Sequence, residues 1–197
     1  MFFLTPALDL HLFLLINQEW RLALFDVLMP LLSSKAVLFS LLVPALGFAV
    51  FRYGKRQWIL FLVLLIGMGL SDAATGVVKN QINRVRPLNA VAGTYHQAHG
   101  YWERRAADFQ RTDETGNSYP SAHAANTMCL AVLAMLLWPG LKRWPLLLPL
   151  LVGYSRVYVG KHYPTDVLAG WLLGLVVGYG VWLIWRYGLS RFLPEKR

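Results

Sequence analysis

The most regular feature of the chain is a series of apolar stretches separated by short polar turns. Four of these stretches are close to the roughly 20 residues that cross a bilayer as an α-helix. They cover 57–78, 122–138, 144–160 and 165–186. A fifth stretch, Ala36 to Phe51, reaches a spanning length only when residues 31–34 extend it. The pattern predicts an all-α fold, an integral membrane bundle of five or six transmembrane helices.

The segment from Leu8 to Pro30 leaves the sixth helix open. It is apolar but is interrupted by Asp9, Glu19, Arg21 and Asp26. Charges within a bilayer are costly, so the segment is either a sixth span or one or two helices that lie at the interface. The pattern alone leaves both alternatives in place.

Composition supports a membrane protein and argues against nucleic acid. The 197 residues are 56% hydrophobic and only 15% charged, which is too apolar for an ordinary soluble domain. The net charge of +9 is scattered in short clusters between apolar runs, so anionic lipid headgroups are better partners than nucleic acid. Cys129 is the single cysteine and excludes an intrachain disulfide. The first 20 residues lack the basic start and small-residue site of a cleaved signal peptide, so we expect the first helix to be retained.

The basic residues predict an orientation. An alternating topology results when 52–56, 139–143 and the C-terminal tail face the cytoplasm, which places 79–121 and 161–164 outside. The cytoplasmic cations are then Arg52, Lys55, Arg56, Lys142, Arg143, Arg186, Arg191, Lys196 and Arg197. The outer cations are Lys79, Arg84, Arg86, Arg104, Arg105, Arg111, Arg156 and Lys161. The excess of basic residues on the cytoplasmic side is small, nine against eight. It becomes clear only if some of the outer cations serve to bind an anion.

The first chemically suggestive cluster is KNQINRVRP, residues 79–87. Lys79 and Arg86 are seven residues apart, so they share a helical face if the helix continues to Pro87, which would end it. Two cations would then point the same way. The alternative is a basic cluster that extends to lipid headgroups.

The second cluster is YPSAHAAN, residues 119–126, at the start of an apolar stretch. A helix that begins near Ser121 leaves the first-turn amides, including those of Ala122 and His123, free to bind an anion. The His123 imidazole is placed to give a proton to such an anion. The alternative is an ordinary capped helix with an interfacial histidine.

The third cluster lies in YSRVYVGKHYPTDVLAG, residues 154–170. Pro164 favours a helix start, which puts Asp166 in the first turn, His162 just before it and Arg156 at the end of the preceding helix. Asp166 is then near enough to bond one ring nitrogen of His162 and leave the other free as a nucleophile or base. The alternative is a salt-bridged corner between helices.

Together the clusters supply a cationic clamp, an amide anion site, a histidine with a carboxylate partner and a second histidine. These are the parts that phosphoryl transfer requires: charge stabilisation, a nucleophile and an acid. All three clusters are predicted at the same end of the bundle. The combination favours phosphate chemistry over each of the separate alternatives.

The three clusters resemble the signature of the type 2 phosphatidic acid phosphatase (PAP2) superfamily, which also includes bacterial acid phosphatases and vanadium haloperoxidases. Its pattern is K-x6-RP, then PSGH, then SR-x5-H-x3-D. The matching residues here are Lys79, Arg86, Pro87, Pro120, Ser121, Ala122, His123, Ser155, Arg156, His162 and Asp166. Ala122 departs from the family's glycine, so the backbone there is expected to keep a negative φ. The apolar helices fit the membrane-embedded branch that acts on lipid phosphates.

The resemblance implies a mechanism. His162 would attack phosphorus to form a phosphohistidine, Asp166 would orient it, and His123 would protonate the leaving oxygen and later activate water. The phosphoryl oxygens would be bound by Lys79, Arg86, Ser121, Ala122 and Arg156. The family implies no metal ion and no cofactor.

Two further groups of residues stay ambiguous. Asp72 lies seven residues before Lys79 on the same helical face, which suggests a supporting partner for that cation or a polar contact between helices. His96 and His99 have acidic neighbours at Glu103 and Asp108, but such pairs are common in solvated loops, so a metal site is not expected.

The sequence thus predicts one domain over 1–197 with an extracytoplasmic loop at 88–118, a multi-pass protein of a bacterial-type inner membrane whose site faces the periplasm or exterior. The expected substrates are undecaprenyl diphosphate, phosphatidylglycerophosphate, phosphatidate or lipid A phosphate. Two alternatives stay open: a phosphotransferase that passes phosphate to a lipid or sugar, and a non-enzymatic anion channel or transporter. The oligomeric state is not predicted.

Overall fold

A computed structural model describes residues 5–54, 56–111 and 116–189. The N-terminal region forms two short helices, α1 (Ala7–Leu14), which a π-helical turn extends to Glu19, and α2 (Ala23–Leu32). Leu22 is extended between them, with φ −133° and ψ 140°. The segment from 8 to 30 is therefore not one continuous sixth span.

Five longer helices follow. They are α3 (Lys35–Tyr53), α4 (Arg56–Lys79), α5 (Ala122–Leu137), α6 (Leu147–Tyr158) and α7 (Pro164–Ile184), which a π-helical turn continues to Leu189. In the part of the chain that the structure describes, two helices are long and apolar enough to cross a membrane, Arg56–Lys79 and Pro164–Gly188. The helical bundle is as predicted, whereas the count of five or six spans stays a prediction.

Part of the polar loop is not irregular but forms a β-hairpin, so the fold is mostly helical rather than all-α. Strand β1 (Tyr95–Ala98) pairs antiparallel with β2 (Tyr101–Arg104). His99 and Gly100 connect them with positive φ angles of 53° and 86°. Two successive positive φ values are those of the tight turn that matches strand twist, and glycine adopts one of them without strain.

The packing of α5 on α7 fixes the end of the bundle that holds the signature residues. A Cβ atom on Gly174 would lie 2.1 Å from the carbonyl oxygen of Ala125, and one on Gly170 would lie 2.5 Å from that of Ser121. Only glycine permits such an approach between two helix backbones. The first turns of α5 and α7 are consequently held side by side.

Helix α1 packs against the same end of the bundle. Phe13 is fully buried with Ala124 of α5, Val157 of α6 and Val167 of α7. Its ring meets that of Tyr163 edge to face, with centroids 5.5 Å apart. The N-terminal region is thus part of the structure around the signature residues.

Four of the cations used in the orientation argument, Lys55, Arg191, Lys196 and Arg197, lie outside the described residues, as do 112–115 of the loop.

Candidate active site

The helix before the first cluster ends where the apolar stretch 57–78 ends, and it does not continue to Pro87. Helix α4 ends at Lys79, and Arg86 is extended, with φ −67° and ψ 148°, before the 3₁₀ turn Pro87–Asn89. The two cations therefore do not share a continuous helical face. Pro87 accounts for the extended Arg86, because a proline disfavours helical geometry in the residue before it. At the end of α4, Asn80 is a poor helix former, because its side chain competes for the backbone hydrogen bonds.

The second cluster begins a helix as predicted. Ser121 is the N-cap of α5, with φ −75° and ψ 112°, and Ala122 is its first helical residue, with negative φ. The Ser121 side chain makes no capping bond and is fully buried, and among the described residues its hydroxyl has no hydrogen-bond partner. An ordinary capped helix does not account for this serine. His123 follows in the first turn and is half-buried.

The third cluster also has the predicted local structure. Arg156 lies in the last turn of α6, and Pro164 is the first residue of α7, with Asp166 in its first turn. His162 is 2% exposed and Asp166 is fully buried. The His162 Nδ1 atom lies 3.6 Å from Asp166 Oδ2, close but slightly beyond hydrogen-bond distance.

Backbone hydrogen bonds bring the three clusters together. The Ser121 amide donates to the Asp166 carbonyl at 2.9 Å, which joins the second cluster to the third. The Leu88 amide donates to the Gly160 carbonyl at 3.1 Å, which joins the chain just after the first cluster to the third. Residues from positions 79 to 166 thereby form one site.

The cations of the first and third clusters lie close to one another. Arg156 is 5% exposed, and its Nη1 donates to the Ser33 side chain and, at 3.3 Å, to the Ser33 carbonyl. Its Nε and that of Arg86 are buried, and no described residue accepts a hydrogen bond from either. Lys79 lies within electrostatic range of both arginines. Neighbouring like charges whose buried Nε donors are unpaired are costly, and a bound anion would relieve that cost.

The environment of His162 keeps its imidazole neutral. Burial lowers the pKa of His162 from 6.5 to about 4, and the nearby charges of Arg156 and Arg86 act in the same direction, against the opposing effect of Asp166. A neutral imidazole has a lone pair on one ring nitrogen. Because Nδ1 faces Asp166, Nε2 is the nitrogen available for chemistry.

The structure adds three residues that the sequence argument did not assign. Arg84 Nη1 donates to Asp166 Oδ1 at 2.5 Å, and the Ser118 hydroxyl donates to Asp166 Oδ2 at 2.5 Å. Lys161 is half-buried, and its pKa is lowered by burial and by the charges of Arg156 and Arg86, so it belongs to the cationic cluster. In the sequence, its position next to His162 could have indicated a place in the site. Nothing in the sequence indicated Arg84 or Ser118, because their partner Asp166 is distant along the chain.

The ambiguous residues have other partners. Asp72 accepts a hydrogen bond from the Asn126 side chain of α5 at 3.2 Å and lies within electrostatic range of Lys79. His96 lies 3.7 Å from Glu103 across the hairpin. Among the described residues, no third histidine, cysteine or carboxylate completes a metal-binding group there.

Comparisons with known proteins fit this geometry. Residues 59–189 match the PAP2 superfamily. The chain is 35% identical to the undecaprenyl-diphosphatase of Sulfolobus acidocaldarius over 64% of its own length and 55% of that protein. It is 32% identical to phosphatidylglycerophosphatase B of Bacillus subtilis over 83% of its length and 74% of the relative. The crystal structure of Aquifex aeolicus LpxE matches 93% of the chain and 99% of its own, with a TM-score of 0.69 and 26% identity.

The helical bundle, and the signature residues that meet at one end of it, define a class of fold whose relatives are named as phosphatases of lipid phosphates. The chain belongs to the PAP2 superfamily, because that family matches two thirds of it. The predicted family is confirmed, and the phosphatase names of the relatives support the predicted class of enzyme. The chain spans about half the length of the Sulfolobus acidocaldarius relative. The roles of the individual site residues in the present chain stay predictions.

Proposed function

We propose that this protein hydrolyses a phosphomonoester or diphosphate of a membrane lipid through a phosphohistidine formed on His162. One observation carries the proposal: a neutral, buried histidine beside a carboxylate lies near two arginines, Arg86 and Arg156, whose buried Nε donors lack acceptors among the described residues. This set matches a phosphoryl group, which needs a nucleophile and positive charge on its equatorial oxygens. The phosphatase names of the relatives support the same reaction.

In the first half-reaction, the Nε2 lone pair of His162 attacks phosphorus, and a P–N bond forms as the bond from phosphorus to the leaving oxygen breaks. His123 gives its proton to that oxygen, so the lipid departs as an alcohol or a monophosphate. The His162 ring becomes positively charged, and Asp166 stabilises that charge from the Nδ1 side.

In the second half-reaction, His123 accepts a proton from water, and the water oxygen attacks phosphorus. The P–N bond breaks, inorganic phosphate leaves, and His162 returns to its neutral form. The phosphoryl oxygens are bound in both steps by Lys79, Arg86, Arg156 and Ser121 together with the Ala122 amide. Asp72, which holds Asn126, supports Lys79 from the neighbouring turns of α4.

The proposed substrates are the lipid phosphates that the sequence favours: undecaprenyl diphosphate, phosphatidylglycerophosphate, phosphatidate and lipid A phosphate. Relatives named for undecaprenyl diphosphate, phosphatidylglycerophosphate and lipid A support three of the four. We place the protein in a bacterial-type inner membrane as a multi-pass domain over 1–197, with its site and the 88–118 loop on the periplasmic or outer side. The basic residues at the opposite end of the bundle support that orientation.

The test is a phosphate-release panel with purified protein in lipid nanodiscs, these four lipids and excess EDTA. We expect robust release from at least one lipid, and a loss of about three or more orders of magnitude in His162→Ala. His96→Ala, which removes another buried histidine, serves as the control and should keep wild-type turnover. Full activity in His162→Ala would overturn the phosphohistidine, whereas transfer of labelled phosphate to an added acceptor would favour the phosphotransferase.

A further inference from the structure

A buried set of charges connects the N-terminal helix to the proposed nucleophile. Asp9 of α1 is 2% exposed, Arg84 is 1% exposed and Asp166 is fully buried. The Arg84 guanidinium lies between the two carboxylates, donating from Nη2 to Asp9 and from Nη1 to Asp166. Burying three charges is costly even when they are paired, so this set calls for an explanation beyond packing.

Thr165 fixes the position of the guanidinium. The Thr165 amide donates to Asp9 Oδ1 at 2.9 Å, and its hydroxyl donates to Asp9 Oδ2 at 2.7 Å. The same hydroxyl accepts a hydrogen bond from Arg84 Nη1 at 2.7 Å, within the capacity of one hydroxyl. The guanidinium also stacks on the Tyr163 ring at 4.0 Å. Arg84 is thus held by Asp9, Thr165 and Tyr163 while it binds Asp166.

This arrangement determines how Asp166 faces His162. Arg84 binds Oδ1, which leaves Oδ2 for the Ser118 hydroxyl at 2.5 Å and the Tyr163 amide at 2.8 Å. The same Oδ2 is the atom that lies 3.6 Å from His162 Nδ1. With each oxygen held by separate donors, the carboxylate cannot rotate away from the imidazole without losing hydrogen bonds.

The charges of the set also suit the intermediate. Two carboxylates and one guanidinium carry a net charge of −1 beside a neutral His162. Phosphorylation of Nε2 with a proton on Nδ1 puts one positive charge on the ring, and the set then balances it. Without Asp9, the charges of Arg84 and Asp166 cancel each other. The positive charge of the phosphorylated His162 ring is then not balanced by a net negative charge nearby.

We propose that Asp9 and Arg84 are positioning residues for phosphoryl transfer: Asp9 anchors Arg84, and Arg84 orients Asp166 toward His162. The inference rests on the proposed function. Asp9 lies outside the 59–189 region that matches the family, so the set extends the site to the N-terminal helix.

The experiment is a double-mutant cycle in the full-length protein with Asp9→Asn, Asp166→Asn and the double variant. We expect Asp9→Asn to lower kcat by about 10- to 100-fold with KM changed less than about twofold, because the phosphate-binding cations are untouched. In the Asp166→Asn background the same change should cost less than about threefold, since Asp9 acts through Asp166. Acid-labile phosphoenzyme from a labelled lipid phosphate should form more slowly in Asp9→Asn by the same factor as kcat.

Glu19→Gln is the control, since it removes an exposed carboxylate from the same N-terminal region and should leave kcat unchanged. If Asp9→Asn does not fold, Thr165→Val removes the hydroxyl that links Asp9 to Arg84 and should show a smaller loss with the same dependence on Asp166. The inference would be overturned if Asp9→Asn lowered kcat equally in the wild-type and Asp166→Asn backgrounds. It would also be overturned if the kcat of Asp9→Asn, divided by the fraction of active sites that form phosphoenzyme, equalled that of the wild type. A wild-type protein that releases no phosphate would instead overturn the proposed function.

Discussion

The fold keeps the imidazole of His162 neutral, which is the state that the proposed nucleophile needs. Its pKa falls from 6.5 to about 4, mainly because it is buried. We expect the ring to stay neutral from pH 7 down to about pH 5. The titration of the ring can be followed by ¹⁵N NMR of histidine-labelled protein, and His162→Ala assigns its signal. A midpoint above pH 6 would contradict the prediction. The unfolded chain takes up this proton near pH 6.5, so stability falls as the pH drops from 6.5 toward 4.

Arg156 tests whether the cationic cluster binds phosphate through guanidinium geometry. Ser33 holds its Nη1, while its Nε has no acceptor among the described residues. Arg156→Lys keeps the charge but loses the planar donor set, so we expect kcat/KM to fall by about 100-fold or more. Steady-state kinetics on the preferred lipid measures it. Arg104→Lys, in an exposed arginine of β2, is the control, and equal effects in both variants would contradict the prediction.

At this scale, sequence alone predicted the signature residues but not the groups that hold them. Lys79, Ser121 and His162 could be predicted as site residues because motif spacing is local and chemically distinctive. Arg84 and Ser118 were missed because they meet Asp166 across 82 and 48 positions, and no local pattern marks such a partner. Single-sequence reasoning identifies residues with rare chemistry more readily than their long-range neighbours.

The contact between α5 and α7 is the element-scale feature on which the site depends. Gly174→Ala would place a Cβ 2.1 Å from the Ala125 carbonyl oxygen, so the helices must separate. Separation would strain the Ser121–Asp166 backbone hydrogen bond at the end of the same interface. We expect a lower thermal midpoint and a loss in kcat of about 10-fold or more, given how steeply turnover depends on geometry.

Gly180→Ala is the matched control on the same helix, because a Cβ there meets nothing within 4 Å. Alanine also favours a helix interior over glycine, so this variant should equal or exceed the wild-type thermal midpoint. Scanning calorimetry in detergent and turnover on the same preparations give both readouts. The prediction fails if the two variants lose activity to the same extent.

Among the elements, periodicity predicted the long helices and missed the local breaks. The helix starts at Ala122 and Pro164 agree with the sequence because serine and proline signal them directly. The hairpin at 95–104 was not predicted, and the break between Lys79 and Pro87 was left open. Both occur in polar segments, where hydrophobic periodicity carries no information and turn geometry decides the structure.

At the scale of the whole molecule, one arginine contacts the N-terminal region, the hairpin and the bundle together. Arg21 lies over the rings of Tyr95, Trp102 and Tyr158 at 4.3, 4.1 and 4.9 Å. It also pairs with Asp26, which accepts a hydrogen bond from the Tyr158 hydroxyl at 2.7 Å. The cluster joins α2, both strands and α6, just before the turn that carries Lys161 and His162.

Arg21→Met should release the hairpin, because it removes the cation from three aromatic faces and leaves Asp26 without its ion pair. We expect amide hydrogen exchange at 95–104 to accelerate at least about tenfold, with the interior of α7 unchanged, since local opening needs only the local contacts to break. Mass spectrometry of deuterium uptake in nanodiscs measures both regions. Arg104→Met, which removes an exposed cation 5.1 Å from the Tyr95 ring, is the control and should leave exchange at 95–104 within about twofold of wild type. Unchanged exchange in Arg21→Met would mean that the Asn17 hydrogen bonds to Tyr95 hold the hairpin without the arginine.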